Sequence, residues 1–233
     1  MGLRVAALYD VHGNLPALEA VLAEVQREDV DAVVFGGDLV WGPWPSECLE
    51  RAESFGDCAV FVRGNCERLV LEGHSPGHAW ARDRLSAEER ARIGTWPMLR
   101  TLAVEGLGPT LFCHATPRSD EENLTPESAE AAWAEAFGGL EERVVVCGHT
   151  HLQFDRELGG VRVVNPGSVG APTIRPVAWW ALLGPDVELR TAAYDTEATI
   201  AAAATFFPDE DGLVRWLREP PSYAQRVAAV TAA

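Results

Sequence analysis

The chain has 233 residues and a formal net charge of −16, with 47% hydrophobic and 23% charged residues. This composition excludes global disorder, and the negative charge argues against an extended nucleic-acid surface or an anionic membrane partner. All 19 basic residues are arginine, which excludes Schiff-base catalysis by lysine and a P-loop lysine. No apolar run reaches the roughly 18 residues of a membrane span. The five cysteines show no C-x-x-C spacing, so we expect a cytoplasmic protein with free thiols.

The first 96 residues alternate short apolar runs with helical patterns. Strands are predicted at Val5–Tyr9, Ala32–Phe35 and Ala59–Val62. Helices are predicted at Leu15–Glu28, at Ser46–Ala52 and over most of Cys66–Trp96. Asn14 is expected to cap the first of these helices, and Ser86 with Glu89 predicts a capping box.

The rest of the chain is richer in strands. Strands are predicted at Thr101–Val104, Thr110–Cys113, Val144–Cys147, Asp155–Leu158, Val161–Val164, Ala178–Leu183 and Glu188–Ala193. Gly159-Gly160 predicts a hairpin turn, and Thr125-Pro126 predicts the start of a helix. We expect one α/β domain with two packed sheets over residues 1–195, and a helical C-terminal appendage of that domain over residues 196–233. The appendage supplies no predicted ligand, so we expect the residues beyond Glu197 to be dispensable for chemistry.

Ligand-type side chains follow the ends of five predicted strands. They are Asp10, His12, Asp38, Asn65, His114, His149 and His151. Sites in open α/β sheets form at the carboxyl ends of strands, so these side chains can converge on one crevice. Their mixture of nitrogen and oxygen atoms suits Mn, Fe, Zn, Ni or Co better than Ca or Mg. Seven ligands are too many for one such ion and enough for two if one carboxylate bridges.

The motifs around these residues resemble those of the calcineurin-like binuclear metallophosphoesterases. The matching motifs are Asp10-Val11-His12-Gly13-Asn14, Gly36-Gly37-Asp38, Gly64-Asn65-Cys66-Glu67, His114, Gly148-His149-Thr150-His151 and Asn165-Pro166-Gly167-Ser168-Val169-Gly170. The resemblance covers about residues 3–193 and is closest to the small prokaryotic phosphodiesterase branch. It implies a two-sheet β-sandwich flanked by helices, with the metal site at the carboxyl ends of the strands.

The resemblance also implies a ligand set and a reaction. The first metal would take Asp10, His12 and His151, the second Asn65, His114 and His149, with Asp38 as the bridge. The expected ions are two divalent transition metals, manganese first, with Fe, Zn, Ni or Co as alternatives. A bridging hydroxide would attack the phosphoryl group in line, and Asn65 and His114 would also support the transition state.

One position departs from the family pattern. Many members carry a histidine directly after the asparagine of the third motif, where it protonates the leaving oxygen, but this chain has Cys66. Cys66 is therefore either an inferior general acid or a packed structural cysteine. His74 and His78 are candidate substitute acids, and the alternative for both is an exposed loop.

Two further side-chain types are candidates for substrate contacts. Arg118 could grip a substrate phosphate or be solvated, and Trp41 and Trp44 could stack on an aromatic leaving group or pack within their loop. The leading hypothesis is a phosphodiesterase acting on small phosphoesters. The alternatives are a phosphomonoesterase, a protein phosphatase, a dinucleoside polyphosphate hydrolase, and a non-catalytic interaction module on the same fold. A homo-oligomer is left open.

Overall fold

Two five-stranded β-sheets form the centre of the part of the chain that the computed structural model describes, residues 2–208 and 212–232. In chain order the strands are β1 (Val5–Leu8), β2 (Ala32–Phe35), β3 (Ala59–Phe61), β4 (Leu99–Val104), β5 (Gly108–Cys113), β6 (Val144–Val146), β7 (Phe154–Leu158), β8 (Val161–Asn165), β9 (Ala178–Leu183) and β10 (Val187–Ala192). The α-helices are α1 (Leu15–Val25), α2 (Pro45–Glu53), α3 (Asn65–Glu72), α4 (Pro76–Arg84), α5 (Ala87–Ile93), α6 (Glu130–Phe137), α7 (Thr196–Ala203), α8 (Leu213–Arg218) and α9 (Tyr223–Thr231). The predicted α/β fold with two packed sheets is confirmed.

The first sheet has the strand order β10-β9-β1-β2-β3. Strands β1, β2 and β3 run parallel, whereas β9 pairs antiparallel with both β1 and β10. Strands β1 and β2 are fully buried. Their continuous apolar sequences fit this position, because a strand covered on both faces needs no polar alternation. The carboxyl ends of the three parallel strands meet at one edge of the sheet.

The second sheet has the strand order β4-β5-β6-β8-β7. Strands β5, β6 and β8 are parallel, and β4 and β7 are antiparallel edge strands. Gly159 and Gly160 connect β7 to β8 with φ angles of +61° and +83°. Both residues adopt the left-handed conformation that a tight hairpin turn requires, as the Gly-Gly pair predicts.

Apolar side chains pack the two sheets face to face. Val5 and Ala7 of β1 lie in one buried cluster with Phe112 of β5 and Val146 of β6. The Tyr9 hydroxyl donates a hydrogen bond of 3.0 Å to the carbonyl oxygen of Val146, which ties the end of the first sheet to the second. Helices α1 to α5 cover the outer face of the first sheet, and α6 covers that of the second.

The predicted capping residues set the starts of two helices. The Asn14 side chain accepts a hydrogen bond of 3.2 Å from the backbone N–H of Ala17, at the start of α1. At the start of α5, the Ser86 hydroxyl accepts from the Glu89 N–H at 3.1 Å, and the Glu89 carboxylate accepts from the Ser86 N–H at 2.6 Å. Both predicted caps are confirmed.

The predicted helix start at Thr125-Pro126 is wrong, because α6 begins at Glu130. The Ser128 hydroxyl accepts a hydrogen bond of 3.0 Å from the Thr125 N–H. The Ser128 N–H in turn donates to the Thr125 carbonyl oxygen at 2.8 Å. These local bonds close a turn that competes with the helix.

The C-terminal helices α7 and α8 pack on the rest of the chain through a separate apolar cluster. Ile200, Ala203, Leu213 and Leu217 are buried there together with Ala171. Among the described residues, none of the helices combines the length and the hydrophobicity that a membrane span requires.

Candidate metal centre

The fold brings the predicted ligands together beyond the carboxyl ends of five strands. Asp10 and His12 follow β1, Asp38 follows β2, Asn65 begins α3 after β3, His114 follows β5, and His149 and His151 follow β6. Five of these residues have left-handed backbones with φ between +48° and +64°: Asp10, His12, Asp38, His149 and His151. Residues other than glycine rarely adopt this conformation, and such strain is concentrated at functional sites. The loops therefore hold a demanding geometry that directs these side chains inwards.

Asp10, His12 and His151 form the first group of donors, whose atoms lie within 4.8 Å of one another. The Nε2 atoms of His12 and His151 are 3.0 Å apart, and the Nε2 atom of His151 is 3.3 Å from Oδ1 of Asp10. Oδ1 of Asp10 is buried and has no hydrogen-bond partner among the described residues. A buried carboxylate oxygen without a donor is suited to a cation, so this group fits a metal ion.

Asp38, His114 and His149 form the second group, and a third group of His12, Asp38 and Cys66 shares a residue with each of the other two. The Nε2 atom of His114 lies 3.4 Å from Oδ2 of Asp38 and 3.0 Å from Oδ1 of Asn65. Oδ2 of Asp38 is also 3.9 Å from Nε2 of His12. The Asp38 carboxylate thus lies between the two groups, where a bridging ligand is expected.

Backbone carbonyls orient two of the histidines. The Nδ1 atom of His114 lies 2.9 Å from the carbonyl oxygen of Gly36, and that of His151 lies 2.8 Å from the carbonyl oxygen of Ala171. A carbonyl accepts only from a protonated nitrogen, so Nδ1 of each ring carries the proton in these contacts. The Nε2 atoms are consequently directed at the carboxylates, which is the usual arrangement for metal-binding histidines.

Three of the four histidines at the centre are neutral, and the carboxylates hold the fourth in its charged form. Burial lowers the pKa of His12 and of His149 to about 4 and lowers that of His151 well below its usual range. Neutral imidazoles result, and these are the form that donates a lone pair to a metal. For His114 the effect of burial is outweighed by Asp38, which raises the pKa to about 10. The carboxylates therefore hold a positive charge where a cation is expected.

Two glycines allow the ligand loops to approach closely. A Cβ atom on Gly37 would come within 2.5 Å of Nδ1 of His114, and one on Gly64 within 2.3 Å of Oδ1 of Asp38. Gly37 also has a φ of +98°, which other residues rarely adopt. Larger residues at either position would displace the second group of donors.

Glu67 is a further residue of the site, and its contribution is not evident from the motif that contains it. One carboxylate oxygen accepts hydrogen bonds of 2.8 Å from the N–H groups of Asp38 and Gly64. The other accepts from the N–H of Leu39 at 2.7 Å and of Val40 at 3.3 Å. Glu67 is fully buried on α3 and ties the loop after β2 to the loop after β3. The capping-box position of Glu67 indicates its contact with the Gly64 N–H, whereas its contacts with the loop after β2 follow only from the fold.

A cavity of about 200 Å³ opens onto the donor groups. Five predicted ligands line it, together with Trp41, Cys66, Leu213, Trp216 and Arg226. The Trp41 ring meets the His12 ring edge to face at 5.2 Å between centroids. Trp41 thus lies beside the donors, at the wall of the cavity, where a substrate group could contact it.

Cys66 lies at the same cavity and is buried. Its backbone N–H donates a hydrogen bond of 2.8 Å to Oδ1 of Asp38. Burial raises the pKa of the Cys66 thiol well above its usual range, and the negative charge of Asp38 adds to this effect. The thiol is therefore protonated at neutral pH, which is compatible with both predicted roles of Cys66.

The other two candidate acids do not line the cavity. His74 is exposed, whereas His78 is buried with Nδ1 at 2.7 Å from the Ser75 hydroxyl. The His78 ring stacks on Trp41 at 5.7 Å, and Trp41 in turn contacts His12. Trp41 would have to move before His78 could reach the donors.

Arg118 and Trp44 are also absent from the cavity lining. The Arg118 guanidinium donates to Glu122 at 2.9 Å and to Glu135 at 3.0 Å. The first alternative, a grip on a substrate phosphate, is not supported by this geometry, because the guanidinium already pairs with two carboxylates. Trp44 packs against Phe206 at 5.6 Å, as the loop-packing alternative predicts.

The C-terminal helices, which are predicted to be dispensable for chemistry beyond Glu197, contribute to the wall of the cavity. Leu213 and Trp216 of α8 and Arg226 of α9 form part of its wall. The indole N–H of Trp216 donates a hydrogen bond of 2.7 Å to the carbonyl oxygen of Pro172, which fixes the ring at the cavity.

Comparison with known sequences identifies relatives along most of the chain. Residues 3–184 match the family model described as the calcineurin-like phosphoesterase superfamily domain. The chain is 27% identical over 206 residues to the phosphodiesterase YfcE of Escherichia coli K12, covering 84% of this chain and 94% of that protein. It is 26% identical over 195 residues to the uncharacterized protein MJ0912 of Methanocaldococcus jannaschii, covering 72% and 76% of the two chains.

Solved structures share the fold. The metallophosphoesterase of Sphaerobacter thermophilus has a TM-score of 0.74 at 24% identity, with 94% of this chain and 99% of that chain covered. The hypothetical protein PH1004 of Pyrococcus horikoshii has a TM-score of 0.80 at 19% identity, with 92% and 97% covered. These likenesses agree with the family match, which spans more than half of the sequence. The chain therefore belongs to the calcineurin-like phosphoesterase superfamily.

Proposed function

We propose that this protein is a metal-dependent phosphodiesterase that hydrolyses small phosphoesters at a centre of two divalent ions. Membership of the superfamily makes it a phosphoric ester hydrolase. The observation that carries the finer proposal is the arrangement of two donor groups with the Asp38 carboxylate between them. The similarity to a protein named a phosphodiesterase favours a diester as the substrate.

The two donor groups would hold the ions separately. Asp10, His12 and His151 would bind the first ion, and Asn65, His114 and His149 the second, with Asp38 shared. Their mixed nitrogen and oxygen donors suit Mn, with Fe, Zn, Ni or Co as alternatives. Two divalent ions bound in this way polarise the oxygens of a phosphoryl group and activate a water molecule for in-line attack.

The size of the cavity supports a small substrate. The part of the cavity beside the donor groups measures about 200 Å³, which has room for a phosphoryl group with a small substituent. The formal net charge of −16 disfavours long polyanions such as nucleic acids. The thiol of Cys66 lies beside this cavity and is protonated, because burial raises its pKa. A neutral thiol of this kind is a weak general acid for the leaving group.

A metal titration on two matched substrates tests the proposal. The metal-depleted protein is assayed with an aryl phosphodiester and the corresponding aryl phosphomonoester while Mn²⁺ is added. We expect turnover of the diester to exceed that of the monoester and to require the metal. In Asp10→Asn, added Mn²⁺ should no longer increase the turnover of either ester. Preference for the monoester would indicate a phosphomonoesterase. A metal-loaded protein that hydrolyses neither ester would indicate an interaction module.

A further inference from the structure

Arg226 reaches from α9 into the wall of the metal cavity. Its Nε atom donates a hydrogen bond of 2.8 Å to the Thr150 carbonyl oxygen, and Nη2 donates one of 3.1 Å to that of His149. The guanidinium carbon lies 4.8 Å from the centroid of the Trp216 ring. These contacts fix the guanidinium beside the loop that carries His149 and His151.

Contacts with the second sheet hold α9 in place, and they thereby determine where Arg226 lies. Tyr223 and Val227 pack against the buried cluster on the outer face of the second sheet. The Tyr223 hydroxyl also donates a hydrogen bond of 2.6 Å to the carboxylate of Glu127. These anchors on both sides of Arg226 hold it towards the cavity.

Arg226 forms no ion pair within 4 Å in the described part of the chain, and Asp10 acts on its charge from further away. Other arginines, such as Arg68, Arg162 and Arg190, each pair with two carboxylates. A guanidinium has five N–H donors, and the two carbonyl contacts use two of them. A half-buried guanidinium whose remaining N–H groups can donate further hydrogen bonds is stabilised when an anionic ligand accepts them.

A ligand can reach this guanidinium from the cavity. Arg226 and Trp216 line both the metal cavity and an adjoining cavity of about 660 Å³. The planar guanidinium fork matches carboxylates and phosphates, and the neighbouring donor groups, which are suited to phosphoester chemistry, favour a phosphate.

We propose that Arg226 binds a phosphoryl oxygen of the substrate, as a binding residue supplied by the C-terminal helix. The inference rests on the proposed function, and it goes beyond the family match, which ends at residue 184. Arg226 thereby takes the phosphate-binding role that the sequence offers as one of two alternatives for Arg118, four residues after His114.

Binding of inorganic phosphate to the full-length, Mn²⁺-loaded protein tests the inference. Isothermal titration calorimetry gives the phosphate Kd, and elemental analysis gives the Mn content of each variant. We expect Arg226→Gln to raise the Kd by about ten- to hundredfold at unchanged Mn content, since contacts to charged groups are lost. Arg226→Lys keeps the charge without the fork and should fall between. The matched control is Arg218→Gln, which changes an exposed arginine on α8 outside both cavities and should leave the Kd unchanged.

Each other outcome overturns the inference. An unchanged Kd in Arg226→Gln, or a raised Kd that accompanies loss of Mn, would mean that Arg226 only holds the His149 loop in place. Absence of phosphate binding to the wild-type protein would also refute it. The diester assay distinguishes failure of the inference from failure of the proposed function. If Arg226→Gln still hydrolyses the diester and its phosphate Kd is unaltered, only the inference is refuted. If phosphate binding depends on Arg226 but the wild-type protein does not hydrolyse the diester, only the proposed function is refuted.

Discussion

Replacement of Glu67 by glutamine should destabilise the protein at the junction of two ligand loops. Each oxygen of the Glu67 carboxylate accepts two backbone N–H groups, from Asp38 and Gly64 on one side and from Leu39 and Val40 on the other. In Glu67→Gln one oxygen becomes an NH₂ group that faces two donors. Two buried N–H groups then lose their acceptor.

The size of the loss follows from these contacts. A hydrogen bond to a charged group contributes about 1.5–3 kcal/mol, so two lost bonds amount to about 3–6 kcal/mol. Glutamine also removes a buried charge, and burial together with Asp38 raises the pKa of Glu67, which shows that its charged form is penalised. This relief offsets part of the loss, and we expect a net decrease of about 2–4 kcal/mol in the free energy of unfolding.

Urea unfolding of the metal-free protein measures this decrease without a contribution from bound ions. The matched control is Glu72→Gln, an exposed position on the same helix, which should change the stability by less than about 0.5 kcal/mol. A decrease below about 1 kcal/mol in Glu67→Gln would refute the reasoning, because losing two buried acceptors should cost more than that.

Three further predictions concern the metal centre. Asp38→Asn should lower the content of both ions in elemental analysis, whereas His151→Ala should lower chiefly one; equal losses would argue against Asp38 as the bridge. Cys66→His should raise turnover of alkyl phosphodiesters by about ten- to hundredfold and change that of aryl esters little, because only alkoxide leaving groups need an acid. If both ester types respond equally in steady-state assays, Cys66 does not occupy the acid position. Removal of metal by a chelator should lower the Tm by about 5–10 °C, since saturation at about 100 times Kd contributes about 2.7 kcal/mol. A Tm that is unaffected by chelation and by re-added Mn²⁺ would contradict the presence of a bound ion in the native state.

The sheets could be predicted from the sequence because their strands are short apolar runs with clear ends. Val144–Val146 and Ala32–Phe35 are buried strands with β-branched or aromatic residues, and polar ligands follow each of them. The helix at Thr125 could not be predicted correctly, since the choice between helix and turn depended on the Ser128 side chain. Competition between a helix and a turn that a single side-chain hydrogen bond decides is hard to predict from amino-acid composition.

The predicted ligands come together because each one follows a strand whose place in the sheet is determined. No sequence pattern indicates the contribution of Arg226, because its contact with His149 joins positions 77 residues apart. The sequence of α9 contains no motif that predicts this contact. Arg118 shows the converse: it stands near His114 in sequence, but Glu122 and Glu135 take its guanidinium. Proximity along the chain is therefore a poor guide to which arginine faces the cavity.

The central claim is a functional centre of two metal ions, and a titration that counts ions and turnover together tests it most directly. Metal-depleted protein receives Mn²⁺ in steps, and each sample is analysed for bound Mn per chain and for hydrolysis of an aryl phosphodiester. We predict saturation at two ions per chain, with most of the turnover appearing as the second ion binds. Full turnover in the metal-depleted protein, or saturation of both signals at one ion, would contradict the claim.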